Sequence, residues 1–494
     1  MMILKTSRSN LSSNDQLSLD LPFAATKSLT ARVGPTPTFT RGSGATYIGS
    51  DGLIHGVDTS TTSNSISAAS KTFTLDATAG QDQLWRTGDA VEASNGSNIM
   101  TGTVTSYNAT TQSLVCNMTT ASGSGTFTSW RIGYRGPRFD HTSAGVCRGL
   151  LIEEGRQNLI LQSENFASAS WAKTGGSISS VANVEPDGSA NSELFSEDDT
   201  SSTHRTFQSF TGVSGTSYTL SVFLKFAGRD QIFLENRSIG TNPFVVFNIQ
   251  NGTIGSVSSG LTAAIQAYPN GWYRCSITGT ATLAGGNYLI GGYSGGSIFY
   301  TGLNGPAFYL YGAQVEAGSF ATSYIPTTTG TLARSADVCN ITGANFTSFY
   351  NQSEGTLFAN VSGLMTDVLS GNRGFAVITD GTYNNIIALN KDSSLATISG
   401  SMRTSNVSQF VLSNSYAPFT QYKLALGVRT NDANMAVNGS LKTTITSVTM
   451  PSTMNKLEFR DPTGASGGQP SCHLAAIRYY KKRLPNAKLV TLTT

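Results

Sequence analysis

The sequence predicts an all-β, multidomain protein built from a small β-barrel and two β-sandwich (jelly-roll) domains. Three observations predict it. Apolar and polar residues alternate in short runs along most of the 494 residues, as strands with one buried and one wet face require. The 52 glycines, with abundant Ser, Thr and Asn, punctuate these runs, because such residues tolerate turn dihedrals while Thr, Val, Tyr and Phe suit pleated surfaces. At roughly 150 residues per domain the length exceeds what one core holds, so three or four domains are expected.

Taken in order, residues 1–58 are Ser/Thr-rich and become strand-like at Pro37–Arg41 and Ala45–Ile48, closed by the turn Ser50-Asp51-Gly52. Five evenly spaced alternating runs follow within 59–134: Thr72–Leu75, Asp89–Ala93, Met100–Tyr107, Ser113–Met118 and Gly125–Ile132. That spacing reads as a small barrel or sandwich, with Trp85 and Trp130 as core residues. Residues 135–165 contain the best helical stretch, Gly149–Ile160, but Gly155 interrupts it and a strand with a turn reads equally well. From 166 to 327, Tyr218–Lys225, Gly271–Ile277 and Pro306–Glu316 alternate as strands of a two-sheet sandwich, while the glycines at 285–286 and 291–296 read as turns. A linker, Ile325–Thr331, leads to a last sandwich over 338–494, where Asn438-Gly439 marks a hairpin.

Charge and cysteine content remove several functions. The net charge is +3, from 32 basic and 29 acidic residues interspersed along the chain, which gives no footprint for nucleic acid or anionic lipid. Cys116, Cys147, Cys275, Cys339 and Cys472 are odd in number, widely separated and lack a CxxC pair, so free buried thiols are expected, made in a reducing compartment. Met1–Arg8 turns polar before any run of signal-peptide length, and no window approaches the ~20 apolar residues of a membrane helix. Membrane insertion is not expected.

Three stretches resemble modules that recur in minor structural and tail proteins of tailed bacteriophages. The first comprises Phe39-Thr40-Arg41, Ala45-Thr46-Tyr47 and Asp51–Ile54, continued after an insertion by Pro137–His141 and Gly149–Glu154. The insertion itself, with Gly102–Asn108, Gly123–Thr126 and Trp130, resembles a second phage module. Gly312–Gly318 with Ser323–Thr327 is similar to the closing strand of carbohydrate-binding-module-like jelly rolls. The segment after 338, down to Ala476–Leu484, is similar to laminin-G or concanavalin A-like sandwiches. The resemblance implies a split virion-docking region (1–58 with 135–165), an inserted barrel (59–134), a carbohydrate-binding-like jelly roll (166–327) and a laminin-G-like jelly roll (338–494). It further implies a virion location after synthesis in the host cytoplasm, other virion proteins as partners, homotrimers, and contact with host-surface glycan. An architectural tail or head protein without ligand is the alternative, and a polysaccharide depolymerase is the third reading.

No catalytic or metal-binding residue is expected, and no cofactor. His55, His141, His204 and His473 are scattered without an HExxH spacing. Glu153-Glu154 and Asp198-Asp199 are adjacent pairs, and adjacent strand residues point to opposite faces, whereas a glycosidase needs two carboxyls facing one bond. No GxSxG elbow or GxxxxGK[ST] loop occurs. Sugar rings pack on exposed aromatic rings. Tyr288, Tyr293, Phe299 and Tyr300 lie among Gly, Ser and Asn, which places them at loops or edges as carbohydrate-binding candidates. Trp272 and Tyr273 fall on opposite strand faces, and Trp171 is expected to close the sandwich rather than bind ligand.

Overall fold

The computed structural model describes residues 16–76, 85–240, 243–363, 372–392, 396–461 and 468–494. The stretch Met1–Arg8 lies outside them. The protein is nearly all β, and the described residues hold three short α-helices, Phe23–Thr26, Gly343–Phe349 and Asn486–Thr493. The described residues fall into two units: those within 16–40, 148–154 and 337–494 form one, and those within 41–147 and 155–336 form the other.

In the second unit the barrel has six strands, ordered Val57–Ser60, Trp130–Tyr134, Ala90–Asn95, Asn98–Asn108, Ser113–Ser122 and Ser70–Thr74. The sheet closes on itself where Ser60 bridges Leu75 and Asp76 N–H donates to Thr59 C=O at 2.9 Å. Phe73, Val91, Met100, Leu114, Cys116, Trp85 and Trp130 fill the interior. The two indole N–H groups are satisfied inside it, Trp85 by Asp58 Oδ2 at 2.9 Å and Trp130 by Thr62 C=O at 3.0 Å. Val57–Ser60, the strand that completes the barrel, was not among the five expected runs.

The central jelly roll pairs two six-stranded antiparallel sheets. One runs Ala172–Thr174, Arg205–Thr211, Gly285–Gly292, Gln231–Asn236, Phe244–Asn248, Thr253–Val257. The other runs Gly176–Ala182, Asn191–Glu197, Gly305–Ala317, Ser217–Phe226, Trp272–Thr280, Leu261–Ala267. Leu220, Val222, Ile232, Leu234, Phe247 and Ile290 pack between them, and Trp171 closes the layer against Phe166 and Tyr288. Trp272 and Tyr273 do take opposite faces: Trp272 joins Phe223, Tyr311 and Tyr324 on the outer face, where Ile54 also packs, and Tyr273 packs on the inner core.

The Gly312–Gly318 and Ser323–Thr327 motif closes this sandwich through a buried polar network. Gln314 Nε2 donates to Glu316 Oε1 (2.7 Å), Glu316 accepts the Thr322 N–H and hydroxyl (2.9 and 2.7 Å), and Gln314 Oε1 accepts the Ile325 N–H (2.7 Å). Asn158 Nδ2 donates to the Ala313 and Ile325 carbonyls, which ties the returning segment down. Every member is buried, so each bond replaces water that cannot reach it.

In the first unit, one sheet is ordered Cys147–Ile152, Cys472–Tyr480, Glu354–Gly363, Gln421–Arg429, Asp432–Val437, Ser440–Leu441, with Leu17–Leu21 also pairing on Cys472–Tyr480. The other is ordered Thr38–Thr40, Val338–Thr342, Lys456–Glu458, Arg373–Thr379, Ile386–Lys391, Thr397–Thr404, Val407–Ser415. The helix Asn486–Thr493 lays Leu489 on Phe358, Ala425 and Ala436. Leu17–Leu21, Thr38–Thr40 and residues 148–152 are therefore strand residues of the C-terminal sandwich, whereas 41–58 and 155–165 fall in the other unit. The segments expected to form one docking region divide between the units: Leu17–Leu21 and Thr38–Thr40 pair onto sheets of the first unit, whereas Tyr47–Ile48 pairs with Ile54–His55 and Arg156–Asn158 pairs with Leu332–Arg334 in the second. Gly149–Ile160 is strand, turn and strand, not helix.

Candidate functional site

The four aromatic candidates fall in three places. Tyr288 points between the sheets and is fully buried, with its ring 6.3 Å from that of Trp171, so it is a core residue and not an exposed ring. The expectation failed because the glycines around it are not turns. Gly285–Gly292 is a central strand, and strand parity sends Tyr288 inward beside Ile290. The glycines serve close approach. A Cβ at Gly286 would lie 2.3 Å from the Ser238 backbone N, and one at Gly292 would lie 1.9 Å from the Tyr300 hydroxyl.

Tyr300 plugs one end of the sandwich. Its hydroxyl donates to Glu197 Oε1 at 2.7 Å, and its ring lies between the Arg229 guanidinium (4.4 Å) and the His204 ring (4.8 Å). Arg229 grips Glu197 with two bonds, Nε to Oε1 at 3.0 Å and Nη2 to Oε2 at 2.5 Å, and the Leu303 N–H adds a third donor. Burial alone would raise Glu197, but the bonds from Arg229, Tyr300 and Leu303 outweigh it and hold its carboxyl below the usual range. Tyr300 is thus committed to structure. Phe299 beside it is 60% exposed on the adjoining loop.

Tyr293 lies elsewhere, with the outer face of the Arg205–Thr211 sheet. On that face Arg205, Gly291, Phe233 and Val246 form one cross-strand row, and Phe207, Leu289, Glu235 and Phe244 form the next. The Phe244 ring stands 6.1 Å from both Phe233 and Tyr293. Phe207, Phe244 and Tyr293 are half-buried, leaving parts of three rings in contact with solvent. Among them sit three charged groups. Arg237 Nε donates to Glu235 Oε1 at 2.8 Å, Glu235 is buried with no partner for its Oε2 among the described residues, and Arg205 lies over the Phe207 ring at 5.6 Å. Burial, then the like charge on Arg237, pull Arg205 below its ordinary value, and Glu235 opposes them. This arrangement offers apolar ring faces and fixed polar groups together, which is what a sugar needs. Sequence reasoning missed Phe207, Phe244, Arg205, Glu235 and Arg237. Their period-2 placement was legible, but which parity faced outward was not.

The adjacent carboxylates sit in different surroundings. Glu153 and Glu154 are both buried, with Glu154 3.7 Å from Arg373, while Asp198 accepts from Thr200 and stands 3.4 Å from His204. Among the described residues no three His, Cys, Asp or Glu side chains converge as a metal site, and no helix is long and apolar enough to cross a membrane. Among the described residues the five cysteines form no disulfide, and four of them are buried.

No protein-family model matches the chain, and no curated protein matches it. Among solved structures, the CBM40 domain of a Ruminococcus gnavus IT-sialidase, bound to alpha2,3 sialyllactose, is similar over 29% of this chain and 84% of its own, at 11% identity and a TM-score of 0.25. Domains LG4-5 of the mouse laminin alpha1 chain are similar over 59% of this chain and 88% of theirs, at 8% identity and a TM-score of 0.21. The Trypanosoma rangeli sialidase is similar over 96% of both chains, at 11% identity and a TM-score of 0.23.

Proposed function

We propose that this chain is a non-enzymatic structural protein of a tailed-bacteriophage particle, a tail fibre or other surface appendage whose central jelly roll contacts host-surface glycan. The observation that carries the glycan reading is the outer sheet face, where the half-exposed rings of Phe207, Phe244 and Tyr293 stand beside Arg205, Glu235 and Arg237. The particle reading is supported by the module resemblances spread along the sequence, which also support homotrimers and other virion proteins as partners. Glu153 and Glu154 are buried, Glu154 stands 3.7 Å from Arg373 and Asp198 accepts the Thr200 hydroxyl, which supports binding without hydrolysis.

One observation favours a second, architectural reading. Val407 and Val411 are 61% and 55% exposed on Val407–Ser415, the last strand of its sheet, and an apolar edge of this kind suits a subunit contact. Co-sedimentation of the full chain with host-surface polysaccharide, with reducing ends assayed in the same tubes, separates the readings. Retention without reducing-end release is expected. Release of reducing ends would replace the proposal with a depolymerase, and absence of retention would leave the architectural reading.

A further inference from the structure

The outer face carries a charge imbalance that points to the chemistry of its ligand. Two guanidinium groups, Arg205 and Arg237, share one carboxylate, Glu235, so the cluster has a net charge of 2 − 1 = +1. The carboxylate is committed to Arg237, whose Nε it holds at 2.8 Å. Among the described residues Arg205 has no such bond: its Nε is buried without a hydrogen-bond partner there, and its guanidinium lies over the Phe207 ring at 5.6 Å. A buried or half-buried cation that lacks its own counter-ion is costly, and an external anion relieves that cost. The planar fork of Arg matches a carboxylate with two parallel bonds, which a neutral hydroxyl does not reproduce.

We infer that the glycan bound on this face is a carboxylated sugar, whose carboxylate is taken by Arg205 while its ring packs against the Phe207, Phe244 and Tyr293 side chains. The inference rests on the glycan reading above. Glu235 is a positioning residue, fixing Arg237 and setting the excess charge at one unit. Phe207, stacked under Arg205, orients the guanidinium across the face.

The full chain is applied to an array of bacterial surface polysaccharides in which each acidic polymer is printed beside its carboxyl-reduced form. Retention on acidic polymers at least tenfold above their reduced partners is expected, and Arg205→Gln should bring the two to parity. Arg86→Gln, at an exposed barrel position, is the control and should leave the ratio unchanged. Circular dichroism of both variants verifies the fold, and Arg237→Gln gives a second removal of cationic charge if Arg205→Gln does not fold. Equal retention on acidic and reduced polymers would overturn this inference and leave the glycan reading standing. Retention on none would overturn the glycan reading, and the inference with it.

Discussion

The Phe233 ring lies across Gly291 of the neighbouring strand, where a Cβ would stand 2.6 Å from the ring and 2.8 Å from the Arg205 Cβ. A glycine inside a central strand normally weakens it, so its presence here marks a place where a ring must cross the backbone. Gly291→Ala should destabilise the protein by about 1–3 kcal/mol, the usual cost of overpacking. Urea unfolding measures it, and Phe233→Leu in the same chain should recover part of the loss by clearing the ring.

The Glu197–Arg229 plug makes an acid-side prediction. The folded carboxyl titrates below its unfolded value of 4.5, so its contribution is present above that pH and is lost as pH falls through the folded value. Glu197→Gln keeps an acceptor but leaves Arg229 buried without its counter-charge, for a loss of about 3–5 kcal/mol at neutral pH. The loss should shrink towards zero as the wild type is acidified. Thermal unfolding from pH 3 to 7 tests this.

Glu185 makes the opposite prediction. Burial and the neighbouring carboxyls Asp187, Glu164 and Glu193 push it up to about 9, against a hydrogen bond from Ser189. The folded state keeps this proton where the unfolded state has released it, so stability declines as pH rises from about 4.5 towards 9. Glu185→Gln should raise stability at pH 8, on the order of 1 kcal/mol or more, since one pKa unit is worth about 1.4 kcal/mol. At pH 4 it should change little. A Tm gain at pH 4 equal to that at pH 8 would contradict the burial of an ionisable group at this position.

Thiol accessibility follows from burial. Cys116, Cys275, Cys339 and Cys472 are buried, and burial pushes the Cys116 thiol up to about 12. Maleimide should label Cys147 alone in the native protein and all five cysteines in urea. Mass spectrometry of the labelled protein counts them.

Much of the fold is legible in the sequence, for reasons visible at single residues. Asn438 and Gly439 both have positive φ (45° and 79°), as an Asn-Gly hairpin turn requires, between paired strands. Trp130 is a core residue because alternation along Trp130–Tyr134 places it inward with Ile132, whereas Trp85 lies outside the strands and is held in the core by its indole bond to Asp58. Glycine was the weak point. Gly285–Gly292 reads as turns locally, yet its glycines admit the Ser238 backbone, the Phe233 ring and the Tyr300 hydroxyl, contacts that come from distant residues. That misreading put Tyr288 on the surface and hid the outer face on which Tyr293 meets Phe244. The edge additions of Leu17–Leu21 and Thr38–Thr40 were equally hidden, since a strand's partner more than 300 residues away leaves no local pattern.

The glycan-binding face is tested most directly by comparing the full chain with its Phe244→Ala/Tyr293→Ala variant in co-sedimentation with host-surface polysaccharide. Each aromatic contact is worth about 0.5–1.5 kcal/mol beyond area burial, so the double variant should lose roughly tenfold or more in retention while its Tm changes little. Retention undiminished in a folded variant would contradict the assignment of this face.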